Sequence, residues 1–345
     1  MLYTKERMNT LVINPGSTGI KYKIFDANAQ VLDAKKISLV TLNQEHPFDQ
    51  YSETISKIVV RVVHGGNLSS PQLLSDENEK IVTEFLDFAP IHNKLSLEVI
   101  NFLKKEFTNI PIYLYFDTSF HTNIPLHIRS YAIPKELALK HKLYRYGFHG
   151  IAIESALSQV QEDNDSLPEH IICVHLGGGS SVTGVLEGKS IYTSMGLTPL
   201  SGLMMVTRSG DVDPDMPRII SQKENLDMQS VSELLNYKSG FLGLTGSTDT
   251  LEIFSEAQEG NSEAKLSFDM YVSAIVREIF SAYAELQKVD AITFSGGIGY
   301  GNEYLRSSVM QKISPLNIPS DNIFVVDVDE ELLMYEKVQN YEKER

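Results

Sequence analysis

The sequence predicts an α/β protein of two domains, each built on a mixed sheet flanked by helices. Three observations carry that expectation. Segments rich in β-branched residues recur at 10–14, 21–26, 57–63, 111–116, 170–176, 181–186, 290–295 and 322–328, and stretches with helical apolar spacing alternate with them. The second half opens as the first does, with an apolar strand, a Gly/Ser turn and an alternating strand. At 345 residues the chain is also longer than one typical core supports.

The first opening is "TLVINPGSTGIKYKIFDAN", residues 10–28. Its turn has the size of a phosphate loop but matches neither the Walker loop nor the dinucleotide fingerprint, since both lead into a helix. Here the chain turns from one strand into another, and such a hairpin tip can offer backbone N–H groups and hydroxyls to a phosphate. The segment 93–107 carries Leu95, Val99, Phe102 and Leu103 at helical spacing. The polar run 159–170, "QVQEDNDSLPEH", lacks apolar periodicity and reads as the connection between domains. "HIICVHLGGGSSVTGVLEG", residues 170–188, is the second opening. A long helix is predicted over 263–286, with Leu266, Met270, Ile275, Ile279 and Tyr283 on its apolar side.

Composition excludes several classes. A hydrophobic fraction of 42% and a charged fraction of 22% are those of a globular protein. A formal charge of −15 argues against a nucleic-acid surface, which needs a basic face. Cys173, the single cysteine, sits in an apolar run and rules out an intramolecular disulfide framework. The charged start, "MLYTKERMN", is not a signal peptide, and no apolar run reaches the roughly 18 residues of a membrane span. The expectation is a cytoplasmic protein with neither nucleic-acid nor membrane partners.

Polar residues inside apolar runs mark the chemistry. Arg61 interrupts "VVRVVHGG" and is either neutralised by a core carboxylate or a bidentate clamp for a carboxylate or phosphate. Asp117 ends the apolar strand of "YLYFDTSFH", a place for a helix cap, a metal ligand or an orienting group. His149 lies between Phe148 and Gly150 in "YRYGFHG", and Arg208 lies in the long stretch "TSMGLTPLSGLMMVTRSGDVDPDMP". "AITFSGGIGYGN" runs from a strand into a glycine turn. No His/Cys cluster has zinc spacing and no Gly-x-Ser-x-Gly elbow occurs.

Taken in order, Asn14-Pro15-Gly16-Ser17, "RVVHGG", "APIHN", "FDTSFH", "YRYGFHG", "HLGGGSS", "TSMGLTPLSGLMMVTRSGDVDP", "KSGFLGLTG" and "FSGGIG" resemble the acetate kinase family. That family stands among the sugar kinases, heat-shock ATPases and actin. The resemblance implies two actin-like, ribonuclease H-like domains with a cleft between them, over residues 1–150 and 151–330, followed by a C-terminal helix or tail over 331–345. It implies phosphoryl transfer between ATP and a short carboxylate, giving acyl phosphate and ADP, with Mg²⁺ and a homodimer joined through the second domain. By position, Arg61 and Arg208 would clamp the carboxylate and the transferring group, His149 would hydrogen-bond that group, and Asp117 would position metal or nucleophile. Asn14 would contact metal or phosphate, and His92 would line the cleft. Val63, Ile91, Phe148 and Pro199 would form a small methyl pocket, favouring acetate, with propionate close behind. Gly177, Gly178, Gly179 and Ser180 would cradle nucleotide phosphates, with Asp249, Gly296, Gly297 and Ile298 beside the nucleotide.

The departures from the family gather on the nucleotide side. Tyr300-Gly301 stands where the family continues with Glu-Asn, a Glu linked there to magnesium, and Glu303 lies three residues on. Ser247 to Leu251 keep an Asp but lack the usual Arg, Gly178 replaces an Asn, and Gly19 replaces a Ser. The segments between Phe25 and Val59 and after Arg306 are short for the family. These differences leave open a pyrophosphate-dependent or butyrate-type kinase, or a non-catalytic protein that binds acyl phosphate or nucleotide.

Overall fold

The computed structural model of the chain describes residues 8–16, 19–164 and 166–344. It divides into two compact units, one of residues up to Thr122, Phe148–Ser155 and Asp329 onward, the other of Asn123–Gly147 and Ala156–Val328. The first unit holds strands β1 (Asn9–Gly16), β2 (Gly19–Phe25), β3 (Val31–Ile37), β4 (Ile55–Val62), β5 (Gln72–Leu73) and β6 (Ile112–Phe116). The second holds β7 (His170–Leu176), β8 (Ser180–Leu186), β9 (Lys189–Thr193), β10 (Ala291–Ser295) and β11 (Ile323–Val325).

The repeated opening in the sequence is a repeated topology. The first sheet runs β3-β2-β1-β4-β6-β5 and the second β9-β8-β7-β10-β11. In each, an antiparallel three-strand meander is followed by two strands parallel to the meander's first strand. Central parallel strands are covered on both faces and therefore read as unbroken apolar runs. Leu11–Ile13, Ile58–Val60 and all of β6 are buried accordingly. β2 alternates instead, with Ile20, Tyr22 and Ile24 inward and Lys21 exposed.

Two helices sandwich the first sheet. Helix Pro90–Glu106 supplies Val99, Ile100, Phe102 and Leu103 to one face, where they meet Leu11, Ile13, Ile58 and Val60. Helix Glu330–Lys343 covers the other with Leu333, Met334, Tyr335 and Val338 against Val12, Phe25 and Val59. This last helix is thus core of the first unit rather than a tail. Its outer ends are pinned by Lys57 to Glu342, by Tyr113 to Glu342 at 2.7 Å and by Lys337 to Glu154 at 2.5 Å.

The structure departs from the sequence reading at several elements. The segment 123–147 belongs to the second unit, so the division does not follow a single cut near residue 150. Residues 159–162 end helix Gly150–Glu162, whose buried Ile151, Ala152, Ile153, Ala156, Leu157 and Val160 carry a helical period that the polar end conceals. β3, β5 and β9 lacked a sequence signal; β3 is an exposed edge strand, "VLDAKKI", with no buried residue. Helix Ser262–Leu286 buries Phe268, Tyr271, Val272, Ile275 and Ile279, while Leu266, Met270 and Tyr283 are exposed. That helix is apolar on more than one side, and the side rich in aromatics won the core.

Met334 is fully buried between the C-terminal helix and the first sheet. Met334→Ala is expected to destabilise the chain by about 3 kcal/mol, measured as a lowered urea midpoint at unchanged slope. A change within about 0.5 kcal/mol would mean that this helix is not part of the cooperative core.

Candidate active site

The polar centre of the first unit is built at the ends of β1, β4 and β6. Arg61, on β4, meets Asp117 just past β6 through two bonds, Nε to Oδ1 at 2.8 Å and Nη2 to Oδ2 at 2.6 Å. Its Nη1 donates to Asn14 Oδ1 on β1, also at 2.8 Å. Asn14 Nδ2 in turn donates to Glu330 and Glu331 at 2.6 Å each. Burial works against the guanidinium charge, but Asp117 and Glu330 outweigh it and raise the Arg61 pKa. Burial pushes the Asp117 carboxyl upward, and Arg61 pulls against that shift. Glu331 is raised by burial and by its neighbour Glu330, and lowered by Asn14, Lys21 and Lys23. Lys23 reaches Asp329 at 2.5 Å, tying β2 to the start of the last helix.

A turn brings His149 to the same centre. Its backbone N–H donates to the Asp117 carboxylate, and its φ of +62° is a left-handed conformation rare outside glycine. Gly150 follows because nothing larger fits: its N–H bonds Asp117 O at 3.0 Å, and a Cβ there would lie 2.3 Å from that oxygen. His121, buried, contacts the Phe148 carbonyl through Nε2 at 2.9 Å, so this nitrogen carries the proton. Burial depresses the His121 pKa to about 4. Phe148 packs edge-on against His64, 5.4 Å between ring centres.

The second unit holds the other arginine and the glycine cradle. Arg208 is desolvated, which lowers its pKa. Its Nη1 donates to Pro199 O at 3.2 Å and approaches Met205 Sδ at 3.6 Å. Among the described residues it forms no ion pair, so a partly buried guanidinium is held by neutral groups alone. Gly240, at φ +62°, lets a neighbouring turn close on this loop; a Cβ there would lie 2.0 Å from Met205 O. Separately, a cavity of about 670 Å³ is lined by Gly177, Gly178, Gly297, Ile298, Thr248 and Asp249, with Leu251 and Phe254 as apolar wall. Asp249 caps helix Thr250–Glu259, its Oδ1 accepting from Leu251 and Glu252 N–H.

The structure therefore gathers Asn14, Arg61, Asp117 and His149 in one unit, and the cavity-lining glycines and Asp249 in the other. Val63 is buried. His92 lies on helix Pro90–Glu106, its carbonyl accepting from Ser96. The Ile91 side chain and residues Ser17 and Thr18 of the first turn lie outside the described residues. Ser180 turns away from the cavity, fully buried with its hydroxyl 2.7 Å from Tyr271 OH. Gly179 closes the turn by accepting from Gly177 N–H at 2.8 Å, and Gly296, at φ +77°, precedes the lining pair. Tyr300, in place of the family's Glu, is half exposed.

Four residues escaped the sequence reading. Glu330 and Glu331 follow Asp329 in an acidic run that looks like a helix start, and only the fold brings it to Asn14. Lys21 sits opposite Asn14 in the β1–β2 register, a pairing that the hairpin alternation could have given. His175, next to last in β7, has Nδ1 on Ser295 Oγ at 3.1 Å, just before the glycine turn.

Residues 32–336 match the family model described as the acetokinase family. The acetate kinase of Brachyspira hyodysenteriae is 34% identical, the match covering 91% of this chain and 89% of the relative. A propionate kinase structure from Francisella tularensis subsp. tularensis superposes with a TM-score of 0.88 at 31% identity, covering 96% of this chain and 99% of that one. The Porphyromonas gingivalis acetate kinase structure gives a TM-score of 0.86 at 28% identity, with coverage of 96% and 99%.

His121 gives the first unit a defined response to acid. The unfolded chain takes up this proton near pH 6.5, the folded chain only near pH 4. Its contribution to stability is complete above pH 6.5 and is lost as pH falls toward 4. Urea midpoints measured across that range should fall less steeply in His121→Gln than in the parent; equal slopes would show that His121 is not buried neutral.

Proposed function

The chain belongs to the acetokinase family, and on that premise we propose that it transfers a phosphoryl group between ATP and a short carboxylate, acetate first. One observation carries the reading: Arg208 is a desolvated guanidinium whose bonded partners are a carbonyl and a thioether. A partly buried cation without a counter-charge is prepared for an anionic ligand. In this reading Arg208 holds the transferring phosphoryl group, and Arg61 the carboxylate. The carboxylate is already a competent nucleophile, so no strong base is needed, and catalysis consists of alignment and charge neutralisation. His149 donates to the equatorial phosphoryl oxygens, and Asp117 fixes Arg61 and the His149 turn through bonds to both. The glycine-lined cavity takes the nucleotide, its phosphates toward Gly177, Gly178 and Gly297 and its base against Leu251 and Phe254.

The residues beside Asn14 fit Mg²⁺. Glu330 and Glu331 crowd two acids into a partly buried place where Glu331 resists ionisation, the condition that a hard cation with oxygen ligands relieves. Their carboxylates would hold the ion, which when bound would neutralise phosphate charge, and Asn14 would orient them through its N–H₂. This assignment makes the Glu-to-Tyr300 change compatible with a working metal site. Val63 and Phe148, both buried in the first unit, keep the role of small apolar lining, and a methylene of difference separates acetate from propionate by only about 1–3 kcal/mol.

We assign the exposed apolar side of helix Ser262–Leu286 to a second copy of the chain, since Leu266, Met270 and Phe280 lie there at helical spacing, 57%, 42% and 37% exposed. Light scattering should give a dimer for the parent chain and a monomer for Met270→Glu; a monomeric parent would overturn the assignment.

The activity test is hydroxylamine trapping of acyl phosphate from acetate, propionate and butyrate with Mg-ATP. Turnover with acetate and propionate is expected, with Arg208→Ala slower by about 10³-fold or more. A parent protein that forms no acyl phosphate from any of the three acids sinks the reading.

A further inference from the structure

We infer that Arg145 is the positioning residue for Arg208, acting through the backbone of residues 193–199. The inference rests on the proposed role of Arg208 and adds a residue to it. Arg145 Nη1 donates to three successive carbonyls, Ser194 at 3.1 Å, Met195 at 3.2 Å and Thr193 at 3.5 Å. Among the described residues its side chain makes no ion pair; its hydrogen bonds go to the backbone, and its charge is also felt by Glu278. Its guanidinium also lies 5.8 Å from the ring centre of Tyr131, whose hydroxyl oxygen accepts from Leu197 N–H at 2.8 Å. The two residues after Arg145 complete the hold: Tyr146 and Gly147 N–H reach Gly196 O at 3.0 and 3.4 Å. Every residue from 193 to 197 therefore has a backbone group bonded to Tyr131 or to the run 145–147.

Two residues further on, Pro199 offers the carbonyl that receives Arg208 Nη1. The returning strand of the loop is closed by its own bonds, Gly202 N–H to Asp211 Oδ1 at 2.8 Å and Met205 N–H to Arg208 O at 3.0 Å. These fix the Arg208 backbone and seat Met205, whose Sδ meets Nη1 at 3.6 Å. The shorter contact of the head is to Pro199 O at 3.2 Å, and Pro199 follows the clamp at 193–197. A lysine at 145 would keep the charge and lose the planar fork, which satisfies several acceptors in a set direction. A displacement of the order of 1 Å in a positioning group costs about 10²-fold in rate.

The test is a double-mutant cycle on the full chain with the parent, Arg145→Lys, Arg208→Ala and the double variant. Trapped acyl phosphate gives kcat and the KM values for acetate and ATP. Arg145→Lys should lower kcat by about 10- to 100-fold with the KM for ATP unchanged, and the double variant should be no slower than Arg208→Ala alone. Calorimetric titration of acetyl phosphate onto the same four proteins reads the coupling without turnover: Arg145→Lys should weaken binding in the parent background and not in Arg208→Ala. Tyr131→Phe, which removes only the contact to Leu197, should show the same non-additivity at smaller size and serves if Arg145→Lys fails to fold. Losses that multiply in the Arg208→Ala background, by rate or by binding, would overturn the inference and reduce Arg145 to a general stabiliser of the loop. A parent that binds acetyl phosphate with this coupling yet makes no acyl phosphate would sink the kinase reading and leave the inference standing.

Discussion

The first unit depends on one buried ion pair. Arg61 and Asp117 sit at the ends of neighbouring parallel strands, with side-chain exposures of 13% and 1%. Neither could be left alone: an unpaired charge in such a place costs several kcal/mol, about 3–5 when one partner is removed. The pair therefore dictates what surrounds it. Asn14 must present its amide oxygen to Arg61, which turns its N–H₂ toward Glu330 and Glu331 and so fixes where the last helix begins. Asp117 must also receive the His149 N–H, which forces the turn into a left-handed residue followed by a glycine. One charge pair thus recruits residues more than 300 positions apart, and the helix that ends the chain becomes the lid of its first sheet.

The second unit treats its arginine in the opposite way. Arg208 keeps its charge with a carbonyl and a sulfur for company, and the loop around it is shaped by backbone bonds and glycine rather than by ion pairs. No carboxylate pairs with Arg208 among the described residues, whereas Asp117 already neutralises Arg61, so an anion in the proposed roles would meet an unpaired charge at Arg208 and a paired one at Arg61. The two arginines illustrate a division of labour. Arg61 is held by a bidentate carboxylate, whereas Arg208 has a carbonyl and a thioether as its bonded partners.

Much of this was legible in the sequence, for identifiable reasons. Arg61, Asp117, His149 and Arg208 announced themselves as polar residues breaking apolar runs, and the buried runs of β1, β4, β6, β7 and β10 read directly as strands. The repeated strand-turn-strand opening proved to be a repeated sheet topology. What stayed hidden was long-range or locally polar. Glu330 and Glu331 stand at an ordinary helix start with Asp329 as its cap, and nothing local distinguishes a solvated acidic turn from one folded onto Asn14. β3 has lysines and aspartate on an edge, where water completes its hydrogen bonds, so no apolar signal was required of it. Ser180 looked like part of a phosphate cradle because it follows three glycines, but β-strand alternation turns its hydroxyl into the core.

An acidic chain that handles anions has to work against its own field. At a formal charge of −15 the long-range potential repels acetate, acyl phosphate and nucleotide alike. Screening confines that repulsion to about 8 Å at physiological ionic strength, so donors in immediate contact decide binding. The structure meets this need with groups that cannot be neutralised at working pH. Guanidinium groups at Arg61 and Arg208 stay charged even when desolvated, and the backbone N–H groups of a glycine turn carry their partial charge without a counter-ion. Arg145 is likewise a cation bonded to carbonyls, those of Thr193, Ser194 and Met195. The acids at the polar centre of the first unit each face a cation, Asp117 and Glu330 on Arg61 and Asp329 and Glu331 on Lys23.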